Sequence, residues 1–154
     1  MEISDLLVLD GVIADLKATS KKQALKDLAG RAATISGLHE RAVFDVLMER
    51  ERLGTTAVGN SIAIPHGKLP TLDRLHGLFA RLQTPIDFQA IDERPVDLIF
   101  VLLAPETAGA DHLKALARIS RLLRDKGVCD KLRGTDNAEA LYAILTASEE
   151  HRAA

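Results

Sequence analysis

The sequence predicts an α+β sandwich, a mixed β-sheet flanked by helices, and three observations carry that expectation. Residues 96–104, VDLIFVLLA, are apolar almost throughout and rich in branched side chains, as a central strand covered on both faces must be. Residues 111–127, DHLKALARISRLLRDKG, place apolar residues at helical spacing and end on Gly127 as a stop. Along the chain the elements read β, α, α, several β, α, α, with no internal repeat, low-complexity segment or linker.

Residues 11–18 (GVIADLKA) alternate as a first strand, with Val12, Ala14 and Leu16 on one side and Ile13 and Asp15 on the other. Ser20-Lys21-Lys22-Gln23 has the form of a capping box, in which Ser20 and Gln23 satisfy free backbone donors reciprocally. Behind it Ala24, Leu25, Leu28, Ala32 and Ile35 share one helical face, and Gly37 ends the helix. A second helix is expected over residues 39–53, with Val43, Val46 and Leu47 inward and Gly54 as its stop. A Gly/Thr/Asn-rich turn over residues 54–60 leads into a short apolar strand that ends at Pro65. Residues 75–82 form another strand, limited by Thr84-Pro85. In the long helix Leu113, Leu116, Ala117, Ser120 and Leu123 mark the inward stripe, with Asp111 as its cap. A last helix starts near Asp136, with capping-box spacing to Glu139, and buries Leu141, Ile144 and Leu145.

The totals exclude several classes. A chain of 154 residues suits one domain, residues 1–154, and 47% apolar with 27% charged residues is ordinary for a globular protein. A net charge of -2 without a basic run gives no reason to expect nucleic acid. The longest apolar run, residues 98–104, is far too short to span a bilayer, and no signal-peptide pattern opens the chain. Cys129 is the single cysteine, so no internal disulfide forms and a cytoplasmic, reducing setting is expected.

The residues that carry chemistry centre on GNSIAIPHGKLP, residues 59–70. Pro65 has no N–H for a ladder and Gly67 tolerates unusual backbone angles, so His66 between them sits on a bend that presents an imidazole. A neutral imidazole is a competent nucleophile when one ring nitrogen is held by a backbone carbonyl and the other is free. A Pro-His-Gly turn can also be no more than a turn. His112, in the first turn of the long helix, is kept neutral by the helix N-terminus and can donate a hydrogen bond to a phosphoryl oxygen; alone it reads as an exposed histidine. Arg50 and Arg52 close the second helix and Lys68 follows the bend. Separately they are surface charges, and together they are a phosphate clamp that either arginine can supply.

Other chemistry is not signalled. The five histidines (His39, His66, His76, His112, His151) have no HxxxH spacing and no nearby cysteine, so neither a metal nor a cofactor is expected. No phosphate-binding glycine loop and no GxSxG context is present. Cys129, close to Lys131 and Arg133, can have a lowered pKa, although a lone helical cysteine is more often packing.

GNSIAIPHGK, with LMERERLGTT before it and PVDLIFVLLAPE…HLKALARIS after it, resembles the IIA domains of the bacterial phosphoenolpyruvate-dependent phosphotransferase system. The fructose/mannitol type is the match, and within it the nitrogen-regulatory branch, over about residues 3–145. The resemblance implies a mixed sheet flanked by helices and a histidine carrier with no small-molecule turnover of its own. It implies that His66 accepts a phosphoryl group from an HPr-like carrier, on Nε2, with His112 as orienting donor and Arg50, rather than Arg52, as the clamp on phosphate charge. Family members that feed sugar permeases carry glutamate six positions before the nucleophile; here Asn60 stands there, as in the regulatory branch. Ser61 occupies a place where glycine is more usual. The implied output is binding of regulatory targets such as potassium-transport or sensor-kinase proteins, without insertion into a membrane. Ile62, Ile64 and Leu69 are expected to form the docking rim. The alternatives are a sugar-specific IIA subunit serving a separate IIB protein, and a regulator that only binds.

Overall fold

A computed structural model describes residues 1–147; His151 lies outside them. The sheet is organised by β6 (Val96–Pro105), which pairs with β5 (His76–Ile86) antiparallel and with β3 (Ile62–Ala63) and β4 (His66–Leu69) in parallel. β1 (Leu7–Ile13) adds to β5 in parallel and β2 (Ala57–Gly59) to β3 antiparallel, giving the order β1-β5-β6-β3-β2 with β4 beside β6. α1 (Lys21–Ser36) and α2 (Glu40–Arg52) cover one face; α3 (Ala110–Arg124), α4 (Lys126–Arg133) and α5 (Ala138–Thr146) cover the other. The alternation along β6 explains this: Ile99, Val101 and Leu103 join the α1/α2 core, while Leu98, Phe100 and Leu102 join the α3–α5 core. The fold is the mixed-sheet α+β sandwich that the sequence predicts.

Several boundaries differ, each for a local reason. β1 begins at Leu7 and leaves the sheet after Ile13, so Leu16 and Ala18 bury themselves from an irregular segment instead of a strand. β5 runs through Thr84-Pro85 because the register shifts between Arg81 and Ile86, and a proline is tolerated where a bulge removes the need for its N–H. Ser20 caps α1 by accepting from the Gln23 N–H, but the Gln23 side chain turns to Asp27, so the box is half formed. The expected turn at residues 54–60 contains β2, and Asn60 (φ 56°) and Ser61 (φ 66°) make its two-residue hairpin loop to β3. Ser61 therefore holds a left-handed conformation at a position that favours glycine.

The α3 stripe is rotated from expectation. His112, Ala115, Ile119, Leu122 and Leu123 are buried, whereas Leu113 is 69% exposed. Gly109, not Asp111, is the N-cap residue, and Gly127 lies inside α4, which Asp125 caps by accepting from the Val128 N–H. The last helix is capped by Asn137, one residue after Asp136.

The strand entering the motif does not stop at Pro65. Ile62 pairs with Leu98 and His66 with Leu102, so one register carries through both strands. Pro65 forgoes the donor it lacks, but its carbonyl accepts from the Leu102 N–H at 3.0 Å. Gly67 serves close approach rather than an unusual backbone angle: a methyl group built there overlaps Val46 Cγ1 of α2. Gly67→Ala should destabilise the protein by about 1–3 kcal/mol through overpacking. Val46→Ala should relieve it, leaving the double variant at least about 1 kcal/mol more stable than the two single losses added together. Denaturant midpoints of the four proteins check this, and simple additivity would contradict the packing account.

Candidate active site

His66 opens β4, with β6 on one side and, among the described residues, no strand on the other. Alternation along residues 62–69 sends Ile62, Ile64, His66 and Lys68 toward the α3 layer, and Ala63, Gly67 and Leu69 toward α1 and α2. The His66 ring is half-buried and its Nδ1 lies 2.8 Å from the Ile64 carbonyl oxygen. A carbonyl only accepts, so Nδ1 carries the proton, and the neutral ring then keeps its lone pair on Nε2.

α3 brings His112 against this ring. The two ring centroids are 5.8 Å apart and the planes meet at 65°. His112 is buried, and its Nε2 is the one buried side-chain nitrogen or oxygen among the described residues with no hydrogen-bond partner. Burial holds its pKa below the ordinary 6.5, and the neighbouring charges of His66 and Lys68 push in the same direction. Its neutrality thus comes first from desolvation rather than from the helix terminus that the sequence suggests. An unpartnered buried polar nitrogen is costly, and this one belongs to the ring packed edge-on against His66.

Arg50 is less tightly placed. It lies one helical turn beyond Val46, on the α2 stripe that packs against Gly67, and its Nη1 donates to the Gly54 carbonyl at 3.0 Å. Arg50 is half-buried and Arg52 exposed. The structure thus brings together His66 and His112, while Arg50 makes no hydrogen bond to either ring among the described residues. Lys68 belongs with the pair: the two-residue period of a strand puts it on the His66 face, and its charge reaches His112. That period was visible in the sequence once a strand after Pro65 was allowed.

The expected apolar rim is not there. Ile62, Ile64 and Leu69 are core residues, each at most 4% exposed, because helices cover both faces of the strands that carry them; the exposed apolar neighbour of His112 is Leu113. Asn60 is also remote. Its N–H is bonded to Asp92 and its carbonyl to Arg133, and it lies beyond Ile62, itself about 13 Å from His66 along β6 at the usual strand rise. Cys129 is buried and desolvation raises its pKa, so it packs and is not activated. Among the described residues no group of three His, Cys, Asp or Glu is arranged to hold a metal ion, and no helix is long and apolar enough to cross a membrane. The open cavity of about 820 Å³ between α1 and α2 is lined by residues such as Lys22, His39 and Phe44 and includes neither site histidine.

The mixed-sheet sandwich that carries these histidines is the fold of phosphotransferase IIA proteins. Residues 5–148 match the model of the phosphoenolpyruvate-dependent sugar phosphotransferase system EIIA 2 family, and the chain belongs to that family. It is 60% identical over 145 residues to a nitrogen regulatory protein of Bradyrhizobium diazoefficiens, covering 94% of this chain and 95% of that one. It is 33% identical over 145 residues to a fructose-specific EIIA component of Haloferax volcanii, covering 94% of each. The crystal structure of the nitrogen regulatory protein IIA-Ntr from Neisseria meningitidis superposes with a TM-score of 0.88 at 35% identity, covering 94% of this chain and 99% of that one.

A histidine whose pKa is lowered in the folded state binds fewer protons than in the unfolded chain just below pH 6.5, so its contribution to stability is present above 6.5 and lost as pH falls through the lowered value. An NMR titration should therefore place the His112 midpoint below 6.5, and Lys68→Met should move it upward. A midpoint at or above 6.5 would remove the basis for a neutral donor.

Proposed function

We propose that the chain is a regulatory phosphocarrier that takes a phosphoryl group on His66 from the phosphohistidine of an HPr-like protein. The observation that carries this reading is the Nδ1 hydrogen bond to Ile64, which leaves Nε2 as the nucleophile, beside the unpartnered Nε2 of His112. In the transfer, the donor's N–P bond breaks, the electron pair returns to the donor imidazole, and a bond forms between phosphorus and His66 Nε2. The proton stays on Nδ1, which continues to donate it to the Ile64 carbonyl oxygen. Such a reaction needs in-line positioning and charge stabilisation around the equatorial oxygens more than covalent help. His112 Nε2–H is the orienting donor, Lys68 adds positive charge, and Arg50 reaches the phosphate by giving up its bond to Gly54. No metal or cofactor has a role in this reading.

The output is a change of partner. A phosphoryl group adds about -1.5 to -2 charge at neutral pH, which is enough to reject one protein surface and attract another. Regulatory targets of the potassium-transport or sensor-kinase kind are the expected partners, in the cytoplasm. The likeness to nitrogen regulatory proteins supports this branch, and so does Asn60 in place of glutamate. The likeness to a fructose-specific component supports a second reading, delivery of the phosphoryl group to a separate IIB protein.

Incubation with phosphoenolpyruvate, the first general enzyme of the system and an HPr-type carrier should add one acid-labile phosphoryl group by intact mass. His66→Ala should abolish it. His112→Ala should slow it by about 10²-fold or more, the scale of losing one positioned donor, and His112→Gln should recover part of that rate. No mass gain in the wild-type protein would overturn the carrier reading and leave a regulator that only binds.

A further inference from the structure

A chain of hydrogen bonds links His66 to a buried carboxylate that the transfer reaction does not use. Glu51, in the last turn of α2, has a side chain only 4% exposed, and its two oxygens accept from both the N–H and the hydroxyl of Thr56, at 2.8–3.0 Å. The partner cation is Lys21, 3.7 Å away, which also donates to the Phe88 carbonyl and lies over the Phe88 ring. A negative charge at a helix C-terminus opposes the helix dipole, and taking it out of water costs more than a neutral acceptor would. What the side chain does at this position is accept from both donors of Thr56.

The contacts lead from Glu51 to the nucleophile. The Thr56 carbonyl accepts from the Ile64 N–H at 3.0 Å, and the Ile64 carbonyl accepts from His66 Nδ1 at 2.8 Å. Both polar groups of Ile64 point away from β6, and Pro65 supplies no donor between Ile64 and His66. The Thr56–Ile64 bond is therefore what fixes, on that side, the backbone whose carbonyl sets the His66 tautomer. β6 fixes the other side through Pro65 and Leu102.

We propose that Glu51, with Lys21 behind it, is a positioning residue for His66: by clamping Thr56 it holds the Ile64 carbonyl where it keeps the proton on Nδ1 and leaves Nε2 free to attack. The proposal rests on the reading of His66 as the phosphoryl acceptor, but its first readout does not need phosphorylation. Glu51→Gln keeps an acceptor for Thr56. Lys21→Met/Glu51→Met replaces the buried pair with apolar side chains of similar size, an exchange that folds commonly tolerate. Long-range ¹H–¹⁵N spectra of the unphosphorylated proteins report the His66 tautomer, and transfer rates at varied donor concentration report the chemistry.

The wild type and Glu51→Gln should show Nδ1–H alone and transfer at rates within about threefold of each other, since an acceptor is retained. The double Met variant should show mixed tautomers and a transfer rate lower by about tenfold or more at saturating donor, with the donor concentration for half-maximal rate unchanged. A folded double Met variant with an unchanged tautomer and rate would overturn the proposal. So would a Glu51→Gln variant as impaired as the double variant, which would make the charge itself the requirement. If the double variant does not fold, Thr56→Val, which removes the hydroxyl half of the clamp and keeps the N–H half, should shift tautomer and rate in the same direction by a smaller amount, and an unchanged tautomer and rate overturn the proposal. Absence of phosphoryl transfer in the wild type with a normal tautomer pattern would instead count against the carrier reading.

Discussion

The hydrogen bond from His66 Nδ1 to the Ile64 carbonyl is the constraint on which the rest of this structure turns. An imidazole has two similar nitrogens, and a nucleophile needs one of them aimed and unprotonated. A bond within a three-residue stretch achieves that only if the stretch cannot move. Pro65 stiffens it from within, β6 holds one side by register, and α2 presses on Gly67 from beneath. Each of these is a backbone or packing device, placed so that one ring projects from the sheet toward α3.

The second imidazole follows from the first. A buried, neutral His112 with an unpartnered Nε2 costs the fold stability, and such a cost persists where the group meets a ligand in another state. In the proposed reading that ligand is a phosphoryl group on His66. Its negative charge would also be met by Lys68 on the same strand face, and by Arg50 once freed from Gly54. On that proposal the site is one prepared for negative charge.

Much of this was legible in the residues. The central strand, α1 with its Ser20 cap and Gly37 stop, α2, and the pairing of His66 with His112 all follow from pattern or resemblance. What was not legible depends on contacts distant in sequence. The continuation of the strand past Pro65 needs β6 as its template, and the burial of Ile62, Ile64 and Leu69 needs helices over both faces. The α3 stripe was misread because counting leucines excludes a histidine from the core, and His112 is the residue that α3 buries at its N-terminal end. The short α4 was missed because Gly127 looked like a stop, while Asp125 closes one helix and caps the next. The Gly67 requirement was assigned to backbone angle and belongs to Val46, which no local rule can place opposite it.

The central claim is that His66 attacks through Nε2 because Nδ1 is committed to Ile64. Long-range ¹H–¹⁵N spectra of the phosphorylated protein, labelled on its histidines, identify the phosphorylated nitrogen directly. The account predicts phosphate on Nε2 of His66 with the proton retained on Nδ1. Phosphate on Nδ1, or on His112, would contradict it.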